Sequence, residues 1–126
     1  MSLPHITLVR WHGTGAGVQY GVECRDFNPD GRWEVVGHLV LMPEVQIYRF
    51  HPTAVWRKKH VLPPHLYGLE QQERVGEIRC VYRGHRFGAW AEAVHQCAIA
   101  LMRERRYPER LPYRWDVLWS DERQPV

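Results

Sequence analysis

The chain has 126 residues, which predicts one domain with room for a core that buries roughly two-thirds of the unfolded surface. An apolar content of 44% argues against disorder, and no run approaches the ~20 apolar residues that a membrane span needs. The net charge of +3 is uneven: residues 1–48 carry three basic and five acidic groups, residues 49–86 eight and three, and residues 87–126 six of each.

The electropositive part is therefore the middle of the chain, and arginine dominates it. Arginine suits planar contacts with phosphate, guanine or carboxylate, so a polyanion or an acidic protein surface is the matching partner class. Cys24, Cys80 and Cys97 are odd in number, widely spaced and free of any Cys-x-x-Cys pattern. Each falls on an apolar face, which reads as buried reduced thiols in a reducing compartment. The opening Met-Ser-Leu-Pro-His lacks a basic then apolar leader, so a cytoplasmic protein is the expectation.

Ile6 to Trp11 predicts a short strand. The glycine-rich residues 12–17 lead into a second strand, where Val18, Tyr20, Val22 and Cys24 alternate with Gln19, Gly21, Glu23 and Arg25. A phosphate cradle would lead into a helix instead, so residues 12–17 read as a hairpin loop. Asn28-Pro29-Asp30-Gly31 is a type I turn signal. Beyond it, Arg32 to Met42 predicts a long strand with Trp33, Val35, Leu39 and Leu41 on one face and Val36, His38 and Val40 on the other. Both faces look apolar, which predicts a central strand covered on two sides and His38 as a core histidine. Pro43 ends that run, and residues 45–50 form the next strand. The short connections imply an antiparallel meander.

Residues 51–75 predict a long irregular loop, since Pro63 and Pro64 exclude a regular helix there; a short helical turn over residues 66–74 is compatible. The loop carries a cationic run beside a ring: Trp56, Arg57, Lys58, Lys59 and His60. In the strand over residues 78–83, Ile78, Cys80 and Tyr82 face one way and Arg79, Val81 and Arg83 the other, with Arg86 in the following turn. If loop and strand share a face, these cations and Trp56 make a phosphate-contacting surface.

Residues 89–106 give the one convincing helix. Trp90, Ala93, Val94, Cys97, Ala98 and Leu101 form a continuous apolar stripe. Gly88 is the N-cap candidate, Arg103, Arg105 and Arg106 suit the C-terminal end of the dipole, and Pro108 blocks continuation. Ile99 and Met102 lie off the stripe; they either widen the core face or form a partner-binding patch. Residues 107–126 predict an extended aromatic strap, with Trp115 and Trp119 as further partner anchors.

The order of basic strand, glycine turn and then Phe87-Gly88-Ala89-Trp90-Ala91-Glu92-Ala93 resembles sheet-then-helix DNA-binding modules of the integrase-arm kind over residues 76–106. Those modules read DNA from the sheet, which would make Arg79 and Arg83 the contact positions. The longer upstream strands, apolar on both faces, set this chain apart.

Chemistry is poorly marked. His51, His60, His65 and His85 stand near Glu70 and Glu73, but no spacing matches a metal-ligand pattern, so neither a metal nor a cofactor is expected. His85 with Glu92 is a conceivable acid–base pair. Ser2 and Ser120 sit in no nucleophile motif. No catalytic residue is assigned.

These observations predict an α+β fold: four or five antiparallel strands packed on one helix in a single domain spanning 1–126. The expected function is a non-enzymatic protein that contacts nucleic acid through the basic loop and strand. The alternative is a protein-interaction module, an inhibitor, adaptor or homodimer subunit, using Ile99, Met102, Trp115 and Trp119. An enzyme with a histidine–carboxylate pair ranks third.

Overall fold

The computed structural model describes residues 4–56, 70–83 and 88–114. Among them are seven strands: β1 (Ile6–Trp11), β2 (Val18–Cys24), β3 (Glu34–Met42), β4 (Ile47–Pro52), β5 (Glu70–Val75), β6 (Ile78–Arg83) and β7 (Arg110–Pro112). One long helix, α1 (Ala89–Glu104), lies between β6 and β7 in sequence. The strands form one sheet in the order β5-β6-β4-β3-β2-β1-β7.

The meander expected from short connections holds for β1 through β4, each antiparallel to the next. Its links follow local chemistry. The Gly31 amide donates to the Asn28 carbonyl at 3.0 Å, closing the turn before β3. Pro43–Val45 form a 3₁₀ turn, closed by Gln46 in the left-handed region at φ 56°, which reverses the chain into β4.

The sheet is mixed, however, and not purely antiparallel. β6 pairs parallel with β4 and antiparallel with β5. The chain leaves β4, builds β5 one strand-width away, then turns back to place β6 in the gap. Gly76, at φ 60°, takes the first central position of the two-residue β5–β6 hairpin, where a type II′ turn calls for glycine. Composition decides which strand goes inside. Ile78, Cys80, Val81 and Tyr82 of β6 are buried, whereas Glu70–Arg74 of β5 are exposed and form a charged edge that resists further pairing.

This corrects the loop expected over residues 51–75. β4 runs on to Pro52, residues 54–56 are helical, and residues 70–75 are a strand. Residues 57–69 lie outside the described residues. Part of the expected C-terminal strap is β7, which pairs with β1 and buries Leu111 against Leu8.

A second correction concerns β3. The β2–β3 register shifts so that Val22 opposes Gly37 while Glu23 opposes Val35, leaving Val36 as an extra residue. This bulge reverses the phase of alternation along the strand. Val36, Leu39 and Leu41 point into the core, while Val35 and His38 are exposed on the opposite face. His38 is therefore not a core histidine. Gly37 is required beside the bulge, because a Cβ there would run into the Phe50 ring and the His51 carbonyl.

Helix α1 covers the inner face. Its buried side chains include the expected Ala93, Val94, Cys97, Ala98 and Leu101, but also Ala91, His95, Ile99 and Met102. It ends at Glu104, where Arg105 turns left-handed and donates its amide to the Leu101 carbonyl at 2.9 Å. Tyr20 Oη donates to the Pro108 carbonyl at 2.7 Å, and Arg10 Nη1 to the Tyr107 carbonyl at 2.9 Å, fixing the helix exit to the sheet. At the helix start, Trp90 Nε1 donates to Asp26 Oδ2 at 2.9 Å. The aromatic load mostly fills this core, with Phe27, Trp56, Phe50 and Tyr82 joined by edge-on and tilted ring contacts. The three cysteines are buried and form no disulfide among the described residues, and no helix among those residues is long and apolar enough to cross a membrane.

Candidate functional site

Strand alternation sends one set of side chains under the helix and the other to the outer face of the sheet. Pairing aligns Gln72, Val81, Arg49, Val40, Gln19 and Trp11 in one outer row across six strands. On either side of this row stand Arg74 and Arg79, paired with each other, and Arg83 with its partner Glu70. His38 and His51 form a directly opposed pair on the same face. The outer strand positions carry five arginines (Arg49, Arg74, Arg79, Arg83 and Arg110) against two glutamates (Glu23 and Glu70).

Arg49 Nη1 pairs with Glu70 Oε1 at 3.0 Å, which leaves the positive excess on Arg74, Arg79, Arg83 and Arg110, all exposed. His51 senses that excess. Burial lowers its pKa below the ordinary imidazole value, and the positive charges of Arg83, Arg49 and His38 lower it further, against a weaker pull from Glu70. Apolar groups interrupt the charge. Trp11 is 50% exposed and Val35 46%, and the Trp11 ring meets His38 edge-on at 6.3 Å. Thr7 and Val81 are the buried positions of this face.

Of the residues singled out from sequence, Arg79 and Arg83 stand together here, exposed and on the same side of β6. Trp56 does not join them: it is 1% exposed and packs against Phe27 and Phe50 in the core. It is a core ring and not a stacking platform. Ile99 and Met102 are likewise buried, because α1 meets the sheet with more than its central stripe, so they form no outward patch. Arg57, Lys58, Lys59, His60, Arg86, Trp115 and Trp119 lie outside the described residues, as do His65 and His85.

A second constellation lies under the helix. Glu73, Cys80 and Tyr48 occupy one inner row across β5, β6 and β4. His95 of α1 is buried above that row. Its Nδ1 meets the Tyr48 hydroxyl at 2.5 Å, and its Nε2 lies 3.8 Å from Glu73 Oε1. The Glu73 carboxylate, the Cys80 thiol and a His95 ring nitrogen all fall within 4.8 Å of one another. Burial, then the neighbouring Tyr82 and Cys80, push the Tyr48 phenol far above its ordinary range, so it stays protonated.

Sequence reasoning missed this cluster for two reasons. Residues 70–75 carry no apolar alternation, so nothing marked Glu73 as the inward position of a strand. His95 lies beside the apolar stripe of α1, where a polar residue reads as solvent-facing.

No protein-family model, curated protein or solved structure matches the chain.

Proposed function

We propose that the protein is a non-enzymatic binding protein that holds single-stranded nucleic acid across the outer face of the sheet. The observation that carries this reading is the exposed arginine set on one face of the sheet, which also presents an accessible tryptophan on β1. Arg79 and Arg83, with Arg74 beside them and Arg110 at the far edge of the sheet, would meet backbone phosphates, while Trp11 and His38 would offer rings to unstacked bases. Base stacking on such rings contributes about 1–3 kcal/mol per base and tolerates sequence changes.

Fluorescence anisotropy with labelled single-stranded DNA, single-stranded RNA and duplex oligonucleotides tests the proposal. Affinity should fall steeply with salt and favour single strands over duplex. No binding to any of them at roughly 50 mM salt would refute it. A second reading rests on the same face: Trp11 and Val35 are exposed enough to seat a second copy of the chain. Light scattering that gives a dimer, together with absent oligonucleotide binding, would favour that reading instead.

A further inference from the structure

From the inner row beneath α1, we infer that Glu73, Cys80 and His95 form a binding site for a zinc-class divalent metal ion. The site lies on the opposite side of the sheet from the proposed nucleic-acid face and does not depend on it.

Three different donors converge here, a carboxylate oxygen, a sulfur and an imidazole nitrogen, all within 4.8 Å of one another. This donor mix suits zinc, which accepts oxygen, nitrogen and thiolate sulfur at about 2.0–2.3 Å in tetrahedral geometry. Such bond lengths place ligand atoms about 3.3–3.8 Å apart. The 3.8 Å between His95 Nε2 and Glu73 Oε1 already meets that spacing. The Cys80 sulfur lies within 4.8 Å of the other two donors, within reach of a third corner of the tetrahedron.

The fold holds these donors in place. Glu73 and Cys80 are direct cross-strand partners, so the β5–β6 register fixes their separation. His95 is held by the Tyr48 hydroxyl on Nδ1, while its Nε2 faces the Glu73 carboxylate. Metal-bound imidazoles commonly have such a partner, because it sets both tautomer and ring orientation. With metal on Nε2, Nδ1 carries the proton and donates to the Tyr48 oxygen. Tyr48 in turn is in hydrogen-bonding contact with Tyr82, whose hydroxyl donates to the Ala91 carbonyl at 3.2 Å. Cys80 and His95 are buried, whereas the Glu73 side chain is 43% exposed. That one open side gives an ion its entry path and leaves the fourth position to a water molecule.

Binding requires the Cys80 thiol to lose its proton, so metal uptake releases about one proton and weakens as pH falls. The test is titration of the tag-free protein with cobalt(II), which reports thiolate coordination by a near-ultraviolet charge-transfer band and tetrahedral geometry by intense visible bands. One equivalent should produce both, and zinc should displace it. Cys80→Ser should abolish the charge-transfer band. Glu73→Gln changes an exposed side chain, so it should fold as wild type and bind cobalt at least about 10–100-fold more weakly, since losing even an outer-shell partner costs that much. Absence of the bands in wild-type protein would overturn the inference. So would bands that persist in Cys80→Ala, or cobalt affinity unchanged in a folded Glu73→Gln protein.

Discussion

Replacing Arg79 and Arg83 together by alanine tests the nucleic-acid face quantitatively. Both side chains are exposed and neither makes an ion pair among the described residues, so the variant should keep its fold. On single strands each neutralised phosphate adds about 0.7 to the slope of log K against log salt, so Arg74, Arg79, Arg83 and Arg110 supply about 2.8 and the double variant loses about 1.4. Taking about 1 M salt as the point where the electrostatic contribution vanishes, the loss is about 14-fold at ~0.15 M and about 70-fold at ~50 mM. Anisotropy titrations at four or more salt concentrations give the slope directly. Arg103→Ala with Arg106→Ala is the control, since it removes the same charge from exposed positions at and beyond the end of α1. Its slope should match wild type. Equal losses in the two double variants would mean that net charge alone attracts the strand. An unchanged slope in Arg79→Ala/Arg83→Ala would remove the face from the interface.

Three further outcomes follow from particular contacts. His51 titrates below the ordinary imidazole range because of burial and the nearby arginines, so a bound polyanion should raise its pKa; binding should then take up protons and tighten as pH falls through the bound-state value toward the lower free-state one. Calorimetry in buffers of different ionisation enthalpy measures that uptake, and none would contradict the placement of phosphates near Arg49 and Arg83. For Asp26, burial alone would raise the pKa, but hydrogen bonds from Trp90 and from the His5 amide and ring outweigh it and leave it lowered. Its stabilising contribution is present above the unfolded value of about 3.9 and is lost as pH falls through the folded value. Asp26→Asn should therefore be less stable than wild type near neutrality by denaturant unfolding, with the gap closing only below about pH 4; a gap that grew in acid would refute this sign. Trp56→Ala empties a fully buried ring site and should cost about 3–5 kcal/mol, whereas Trp11→Ala, half exposed on the outer face, should cost far less stability and weaken oligonucleotide binding.

Much of the architecture could be read from residue pattern, and the failures have identifiable causes. Period-two alternation in β2 and the 3.6-residue stripe of α1 each have a single buried face, so periodicity located them. β5 could not be found that way: it is a charged edge strand whose Glu-Gln-Gln-Glu-Arg run follows solvent exposure and not burial. Its absence from the sequence reading hid the parallel β4–β6 pair and left Glu73 unplaced. In β3 the bulge sends Val36 into the core and Val35 outward, so the face of His38 and Val40 looks apolar from the pattern alone and His38 reads as a core residue. Arg79 and Arg83 were legible as neighbours because alternation within β6 is local. Arg49 and Arg110 join them only through pairing between strands far apart in sequence, and Arg74 through the β5–β6 hairpin that the pattern does not mark. Trp56 misled because a ring beside a cationic run looks like a stacking platform, while residues 54–56 turn that ring inward.

The most direct test is a backbone amide NMR titration with a short single-stranded oligonucleotide. Perturbations should gather on the outer-face positions, Trp11, His38, Arg49, Arg79 and Arg83, and leave Val94, Ala98 and Leu101 beneath the sheet unchanged. Shifts confined to α1, or none at saturating oligonucleotide, would contradict the assignment of the outer face as the binding surface.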